Sequence, residues 1–289
     1  MDQQTVTVML TCFNRIKYTV PCVRALVEGN PNVSFHFIIT DDGSTDGTKE
    51  ALEKMPYSMT LLSGNGQLFW NGGMEKALDF ALTQAEKTDY YLLVNDDVAF
   101  FEGAIEALIG RQKGAWAERR AGTEERNTVS QAVIVGSTLN ENGRTSYGGV
   151  KLLSKHFARF ALIEPSETYK ECDTFNGNCV LIPREVFFRA GNVDGIYRHS
   201  MSDYDYGMRI RKLGFMIYNS AEHVGRCNDN DVTGSWRDTA LPRRERLKKK
   251  ESPKGLPGKD WYHFIRKNYG FFPALYHSLT PYIRILLGK

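Results

Sequence analysis

The sequence is poor in cysteine and has no long apolar run. Its five cysteines (Cys12, Cys22, Cys172, Cys179 and Cys227) form an odd, scattered set without C-x-x-C spacing. That argues against both a zinc site and a disulfide framework, and for a reducing cytosol. No stretch approaches the roughly 20 apolar residues of a spanning helix, which excludes an integral membrane protein. The start, Met1-Asp2-Gln3-Gln4-Thr5, carries neither a basic n-region nor a long apolar h-region, so no secretory signal is expected. No G-x-G-x-x-G follows the first apolar segment, where Thr11-Cys12-Phe13-Asn14 stands, and no G-x-x-x-x-G-K-[ST] occurs. A dinucleotide dehydrogenase and a P-loop nucleotidase are therefore unsupported.

What is present is an ordinary globular composition, 42% hydrophobic and 25% charged in 289 residues, enough for one large or two moderate domains. The net charge of +3 hides an asymmetry. Residues Pro242 to Lys289 hold 12 Lys+Arg against 3 Asp+Glu, a local +9, which leaves −6 for the rest. An acidic body with a basic end is not the footprint of a nucleic-acid binder, and suits a soluble enzyme whose end meets an anionic surface.

Strand and helix patterns alternate along the first hundred residues. Strands are expected at Val6 to Thr11, Phe35 to Thr40, Met59 to Leu62 and Tyr90 to Val94. Helices are expected at Tyr18 to Glu28, Thr48 to Lys54 and Met74 to Glu86. Such alternation predicts parallel pairing with right-handed crossovers, an α/β doubly wound, mostly parallel sheet flanked by helices. The second half is less regular. It offers strands at Thr128 to Val135, Cys179 to Pro183 and Phe215 to Asn219, a helix at Asp205 to Leu213, and a charged surface segment at Arg111 to Asn127. Beyond Asn228 the pattern dissolves. The expected division is a catalytic domain over 1–228, with halves 1–98 and 99–228, and a basic, aromatic extension over 229–289.

In an open parallel sheet, ligands bind beyond the carboxyl ends of the strands. Three of the expected strands end there in polar groups: Asn14, then Asp41-Asp42, then Asp96-Asp97. Two carboxylate pairs facing one crevice repel each other unless a cation or a hydrogen-bond donor lies between them. The economical reading is Mg²⁺ or Mn²⁺ on one pair, with a phosphate-bearing substrate, and a donor such as a base N–H on the other. Each motif alone is also compatible with plain turn chemistry. The glycine-rich loop Gly64 to Gly73, with Trp70 and Asn71, precedes a helix N-terminus and would let backbone approach a phosphate. Trp70 would either stack on a sugar or pack. Ser202-Asp203-Tyr204-Asp205 has the form of a capping box with Ser202 as N-cap. That leaves Asp203 free to face the crevice, with a helix N-terminus keeping its pKa low, or else merely complementing the helix dipole.

Taken in order, Phe13-Asn14-Arg15, Thr40-Asp41-Asp42-Gly43-Ser44, Asn95-Asp96-Asp97, Gly177, Asp203-Tyr204-Asp205-Tyr206 and His223 resemble family 2 glycosyltransferases of the GT-A fold. The resemblance covers roughly the first 225 residues and is nearest to the bacterial rhamnosyl- and galactofuranosyltransferase branch. It implies that Asp42 accepts the pyrimidine N3–H of a uridine or thymidine diphosphate sugar, with Asn14, Asp41, Asp96, Trp70 and Asn71 around the donor. It implies that Asp97 binds the metal, Mn²⁺ or Mg²⁺, with His223 completing the site; a satisfied structural histidine is the alternative. Asn95 replaces the first aspartate of the family's D-x-D. Asp203 falls on the base position of an inverting transfer, and Asn176, Gly177 and Asp205 fall on the acceptor side. The implied donor is dTDP-rhamnose or a UDP-sugar. The implied acceptor is a glycan or a lipid-linked oligosaccharide of a bacterial surface polysaccharide. A sugar nucleotidyltransferase and a non-catalytic sugar-binding module are the other readings.

Basic Arg243 to Lys250 followed by the aromatic stretch Trp261 to Leu287 reads as an interfacial anchor on an anionic membrane. The chain would then be cytoplasmic and peripheral at the inner face of the membrane. The rival reading docks this segment on the catalytic domain.

Overall fold

A computed structural model describes residues 3–84, 88–121, 131–154 and 156–289, with residues 116–121 in backbone only. The elements run β1 (Gln4–Cys12), α1 (Ile16–Glu28), β2 (Val33–Asp41), α2 (Thr48–Glu53), β3 (Met59–Ser63), α3 (Phe69–Thr83), β4 (Tyr90–Val94), β5 (Ala99–Phe100) and α4 (Ala104–Ala121). They continue with β6 (Val133–Leu139), β7 (Thr145–Tyr147), β8 (Gly149–Leu152), β9 (Phe160–Leu162), β10 (Thr174–Phe175), β11 (Cys179–Pro183), α5 (Arg184–Ala190), α6 (Ser202–Lys212) and β12 (Ile217–Arg226). Three helices close the chain: α7 (Arg243–Lys250), α8 (Gly258–Tyr269) and α9 (Phe271–Leu286).

The main sheet has the order β3-β2-β1-β4-β11-β6-β12-β5, with β7 added on β6. β3, β2, β1 and β4 are parallel, as are β6 and β12, and β11 runs antiparallel between the two sets. Helices cover both faces, so the apolar residues of the central strands alternate between two cores. Val8 and Leu10 of β1 pack with α1 and α4, while Met9 between them packs with α3. A small antiparallel sheet, β10-β8-β9, stands beside the main one. All five cysteines are free and buried, as expected of thiols used as small apolar residues.

Two expected boundaries move. α3 begins at Phe69, not Met74, and takes in Trp70-Asn71-Gly72-Gly73. The glycines serve packing: a Cβ on Gly73 would come within 2.6 Å of the Thr11 Cβ, so α3 can lie close on β1 only because none is there. Its expected end at Glu86 lies outside the described residues, as does the start of the expected strand at Thr128. β12 extends to Arg226 because its latter half pairs with β6 and β5.

The last sixty residues are ordered rather than patternless. Trp261, Phe264 and Ile265 of α8 and Ala274 of α9 form a third apolar cluster with Tyr197 and with Met208 of α6. The basic run is α7, and two of its cations are buried. Arg246 donates to the Trp236 carbonyl (2.9 Å) and the Lys289 carbonyl (2.7 Å). Lys250 donates to Glu251 (2.7 Å) and the Leu256 carbonyl (2.9 Å), with its ammonium over the Tyr282 ring. Bonds within the tail thus hold these two cations, while α8 and α9 dock on the body.

Candidate functional site

The crevice lies beyond the carboxyl ends of β1, β2 and β4, and its loops are stitched together by side chains. Asn14 sits in the left-handed region (φ 52°), which asparagine tolerates better than most residues. Its N–H donates to Ser44 Oγ (2.9 Å), and its Oδ1 accepts from the Thr45 N–H (2.7 Å). Asp41 accepts from the Ser44 N–H (3.0 Å). The loop after β1 therefore holds the loop after β2.

Asp42, expected to meet a base N3–H, is buried and surrounded by backbone donors. Oδ1 accepts from Asn65 (3.1 Å) and Gly66 (2.8 Å), and Oδ2 from Leu68 (2.9 Å) and Phe69 (3.3 Å). One carboxylate thereby fixes the glycine-rich segment and satisfies amides at the start of α3.

At the end of β4 the repulsion expected between carboxylates is relieved by Arg15. Its guanidinium lies 3.3 Å from Asp96 Oδ1 and 2.6 Å from Asp97 Oδ2. Asp96 also accepts from the Thr19 hydroxyl (2.9 Å). Burial raises the Asp96 pKa to about 6 against the opposing pull of Arg15, with Asp97 adding to the rise. The Asp97 carboxylate accepts from the Cys227 thiol (3.5 Å) and keeps a quarter of its surface exposed.

His223, expected as a metal ligand, is hydrogen-bonded to another side chain. Its Nε2 is 2.9 Å from Thr145 Oγ1, whose hydroxyl also bonds Glu164. Burial lowers its pKa, with Glu164 opposing. Among the described residues no group of three His, Cys, Asp or Glu is disposed to hold a metal. The two adjacent carboxylates Asp96 and Asp97 do suit a hard cation that draws its remaining ligands from a bound diphosphate. Such an ion would share these carboxylates with Arg15, which pairs with both of them.

The third loop is tied to Asp203 through Trp70. The indole N–H donates to Asn95 Oδ1 (2.7 Å), and the Asn95 N–H donates to the Asn178 carbonyl (3.1 Å). The backbone of Gly177 lies against the indole ring, and its N–H donates to Asp203 Oδ2 (3.1 Å). Asp203 Oδ1 accepts from the Tyr204 N–H (2.8 Å). Burial raises the Asp203 pKa to about 6 in spite of these donors. The low pKa expected from the helix N-terminus is therefore corrected: burial outweighs the backbone N–H donors that favour the charged form. Asn176 pairs through its backbone N–H with the Gly148 carbonyl (3.0 Å) beside this cluster.

Three expectations meet a different geometry. The N-cap of α6 is Met201 (φ 73°) and no side chain caps it, so the capping box does not form. Ser202 instead donates to Asn71 Oδ1. Asn71, expected beside the donor, is buried, and its amide also donates to the carbonyls of Asp194 (3.0 Å) and Tyr197 (2.7 Å). Asp205, expected on the acceptor side, is buried and bonds Lys267 (2.7 Å) and Asn268 (3.1 Å) of α8. Its partners lie in a segment whose docking no local pattern reveals. Arg15 and Thr19 were legible only as residues near a strand end.

A sequence model of glycosyl transferase family 2 matches residues 7–153. The chain belongs to that family. This family 2 glycosyltransferase is 25% identical over 194 residues to the N-acetylglucosaminyl-diphospho-decaprenol L-rhamnosyltransferases of two Mycobacterium tuberculosis strains, CDC 1551 / Oshkosh and ATCC 25618 / H37Rv. The match covers 62% of this chain and 62% of each relative. Its fold is that of GT-A enzymes of known structure. It superposes on the mannosyltransferase PcManGT of Pyrobaculum calidifontis, solved with GDP-Man and Mn²⁺ (TM-score 0.54, 13% identity, 98% of this chain and 74% of that one). It also superposes on S. aureus TarS 1–349 with UDP-GlcNAc (TM-score 0.55, 14% identity, 98% and 81%). Membership removes the sugar nucleotidyltransferase reading.

Proposed function

We propose that the chain transfers a sugar, with inversion, from a nucleotide diphosphate sugar to an acceptor hydroxyl, and that Asp203 is the general base. The observation that carries this reading is the Asn95–Trp70–Gly177–Asp203 cluster, which joins the end of β4 to a half-buried carboxylate with a pKa of about 6. A base of that pKa is ionised at neutral pH yet takes a proton readily. Asp203 removes the hydroxyl proton as that oxygen bonds to the anomeric carbon and the bond to the diphosphate breaks on the opposite side.

The donor lies between Asn14, Asp41, Asp96 and Trp70, on the segment that Asp42 fixes, with Asn71 positioning the start of α3 from behind. Asn176 and Gly177 border the acceptor hydroxyl. Asp97, with Asp96, would hold Mg²⁺ or Mn²⁺, which when bound supplies positive charge to the departing diphosphate. dTDP-rhamnose is the first donor and a UDP-sugar the second; the names of the Mycobacterium tuberculosis relatives support transfer of rhamnose and also point to a lipid-linked acceptor. Residues 1–228 carry this chemistry and 229–289 complete the acceptor side. No described helix is long and apolar enough to cross a membrane. The exposed apolar residues of α9 support peripheral contact with an anionic inner-membrane surface. The net charge of −6 outside the tail gives no support to nucleic-acid binding.

Thermal stabilisation by a panel of nucleotide sugars, with Mn²⁺, with Mg²⁺ and with EDTA, tests the reading. A ligand at 100 times its Kd adds about 2.7 kcal/mol. A shift with one donor that EDTA removes supports it. No shift with any donor turns it towards a binding module.

A further inference from the structure

A groove of about 1060 Å³ opens beside the N-terminal end of α6, between Met201 and Tyr204 on one side and the tail on the other. These two residues flank Asp203 in the sequence, yet no expected site residue lines the groove. Arg159, Arg237, Lys254 and Arg284 do line it, and all four are exposed. Among the described residues none of the four is in an ion pair. The one acid in the wall, Asp231, accepts from the Thr233 N–H (2.8 Å). His277 Nε2, in the same wall, is buried without a hydrogen-bond partner. Four uncompensated cations around a groove that also contains aromatic rings call for an anionic, partly apolar ligand.

The groove continues onto α9, since Tyr276, Ile283 and Arg284 belong to both. Phe272 (81% exposed), Leu275, Leu279 (60%), Ile283 and Leu286 recur at helical spacing and bare an apolar stripe along that helix. A cationic pocket at one end of an apolar stripe matches a polar diphosphate joined to a hydrocarbon chain.

We infer that this groove binds the diphosphate of a lipid-linked acceptor, with the lipid laid along α9. The inference rests on the transferase reading and adds to it the subsite and the residues. Arg159, Lys254 and Arg284 hold the diphosphate oxygens, Arg237 braces the rim with its guanidinium over the Trp236 ring (5.2 Å), and the sugar is left near Met201 and Tyr204. A tail that is both docked on the body and apolar on its outer side thus has a single purpose.

The test measures binding of farnesyl diphosphate to the full chain by quenching of Trp236 and Trp261, in saturating nucleotide to block the donor crevice. Inorganic pyrophosphate and farnesol serve as the two halves of the probe. Farnesyl diphosphate is expected to bind at least tenfold more tightly than either half. Arg284→Gln and Lys254→Gln, both at exposed positions, should each weaken it about tenfold or more while leaving the melting temperature and nucleotide-sugar stabilisation unchanged. Equal binding of pyrophosphate, equal binding of farnesol, or unchanged affinity in both variants overturns the inference. Nucleotide-sugar stabilisation without farnesyl diphosphate binding overturns the subsite alone. The converse result keeps the subsite and removes the transferase reading.

Discussion

Gly177 lies so close to the indole of Trp70 that a Cβ built on it would stand 2.7 Å from Cζ2 and 3.0 Å from Cη2. The same glycine donates its N–H to Asp203, so ring, backbone and carboxylate form one contact chain.

Gly177→Ala should therefore act on turnover more than on folding. The methyl must push the indole aside, straining its bond to Asn95 and moving the Asp203 partner. We expect kcat to fall by at least tenfold, with a stability cost of about 1–3 kcal/mol from overpacking. Steady-state kinetics beside a denaturant melt check this; an unchanged kcat removes Gly177 from the site.

Asp203→Asn should lower kcat by about 10²–10⁴. In the unaltered chain, activity should fall as pH drops through about 6, where the base becomes protonated. The stability effect has the opposite sign. A carboxyl whose folded pKa lies above its unfolded value binds extra protons in the folded state. It therefore loses stability as pH rises from about 4 to about 6. Above pH 6 the ionised carboxylate is a cost of up to about 3 kcal/mol, which Asn does not carry. A melting temperature at pH 8 that is equal or higher in Asp203→Asn, with activity lost, separates a base from a structural residue.

Much of the fold was legible because the strands β1, β2, β3, β4 and β11 are apolar runs cut by turn residues, and local pattern suffices for them. The loops that carry Asn14, Asp41-Asp42 and Asp96-Asp97 followed from where such strands end. What local pattern cannot supply is partnership at long range. Asp205 reads as a helix-start residue because its partner Lys267 is 62 positions away. Asn71 reads as a loop amide because the carbonyls it binds belong to residues 194 and 197. Arg15 reads as a turn cation until the sheet brings β4 beside β1. The choice between anchor and docked segment is likewise beyond local pattern, since apolar residues of the tail find part of their cover on α6.

Lys267→Met tests that docking. The ammonium serves Asp205 (2.7 Å) and Asp194 (2.8 Å), and Asp205 is 1% exposed. Removing one partner of a buried pair costs about 3 kcal/mol, towards the low end because Lys267 is itself a third exposed. Burial opposes ionisation of Asp194, but hydrogen bonds from Lys267 and His263 outweigh it and hold the pKa at about 2. A lowered folded pKa gives stability that is full above about 4 and is lost as pH falls through 2. The difference in melting temperature between the two chains should accordingly narrow below pH 4.

Divalent cation and Arg15 should compete for Asp96 and Asp97. The guanidinium now supplies the positive charge there, and a divalent cation held by the same two carboxylates would have to displace it. Asp97→Asn should abolish the Mn²⁺-dependent part of the melting shift produced by a nucleotide sugar. His223→Ala should leave that part within error, because its ring is held by Thr145. Arg15→Met removes the resident cation and leaves Asp96 buried and uncompensated. Its melting temperature without metal should fall, by the equivalent of about 2–3 kcal/mol, less than for a fully buried pair because Arg15 itself is 39% exposed. Added Mn²⁺ should restore more stability to this variant than to the unaltered chain. If metal stabilises both equally, Arg15 does not occupy the cation's place and the two charges act on separate parts of the donor.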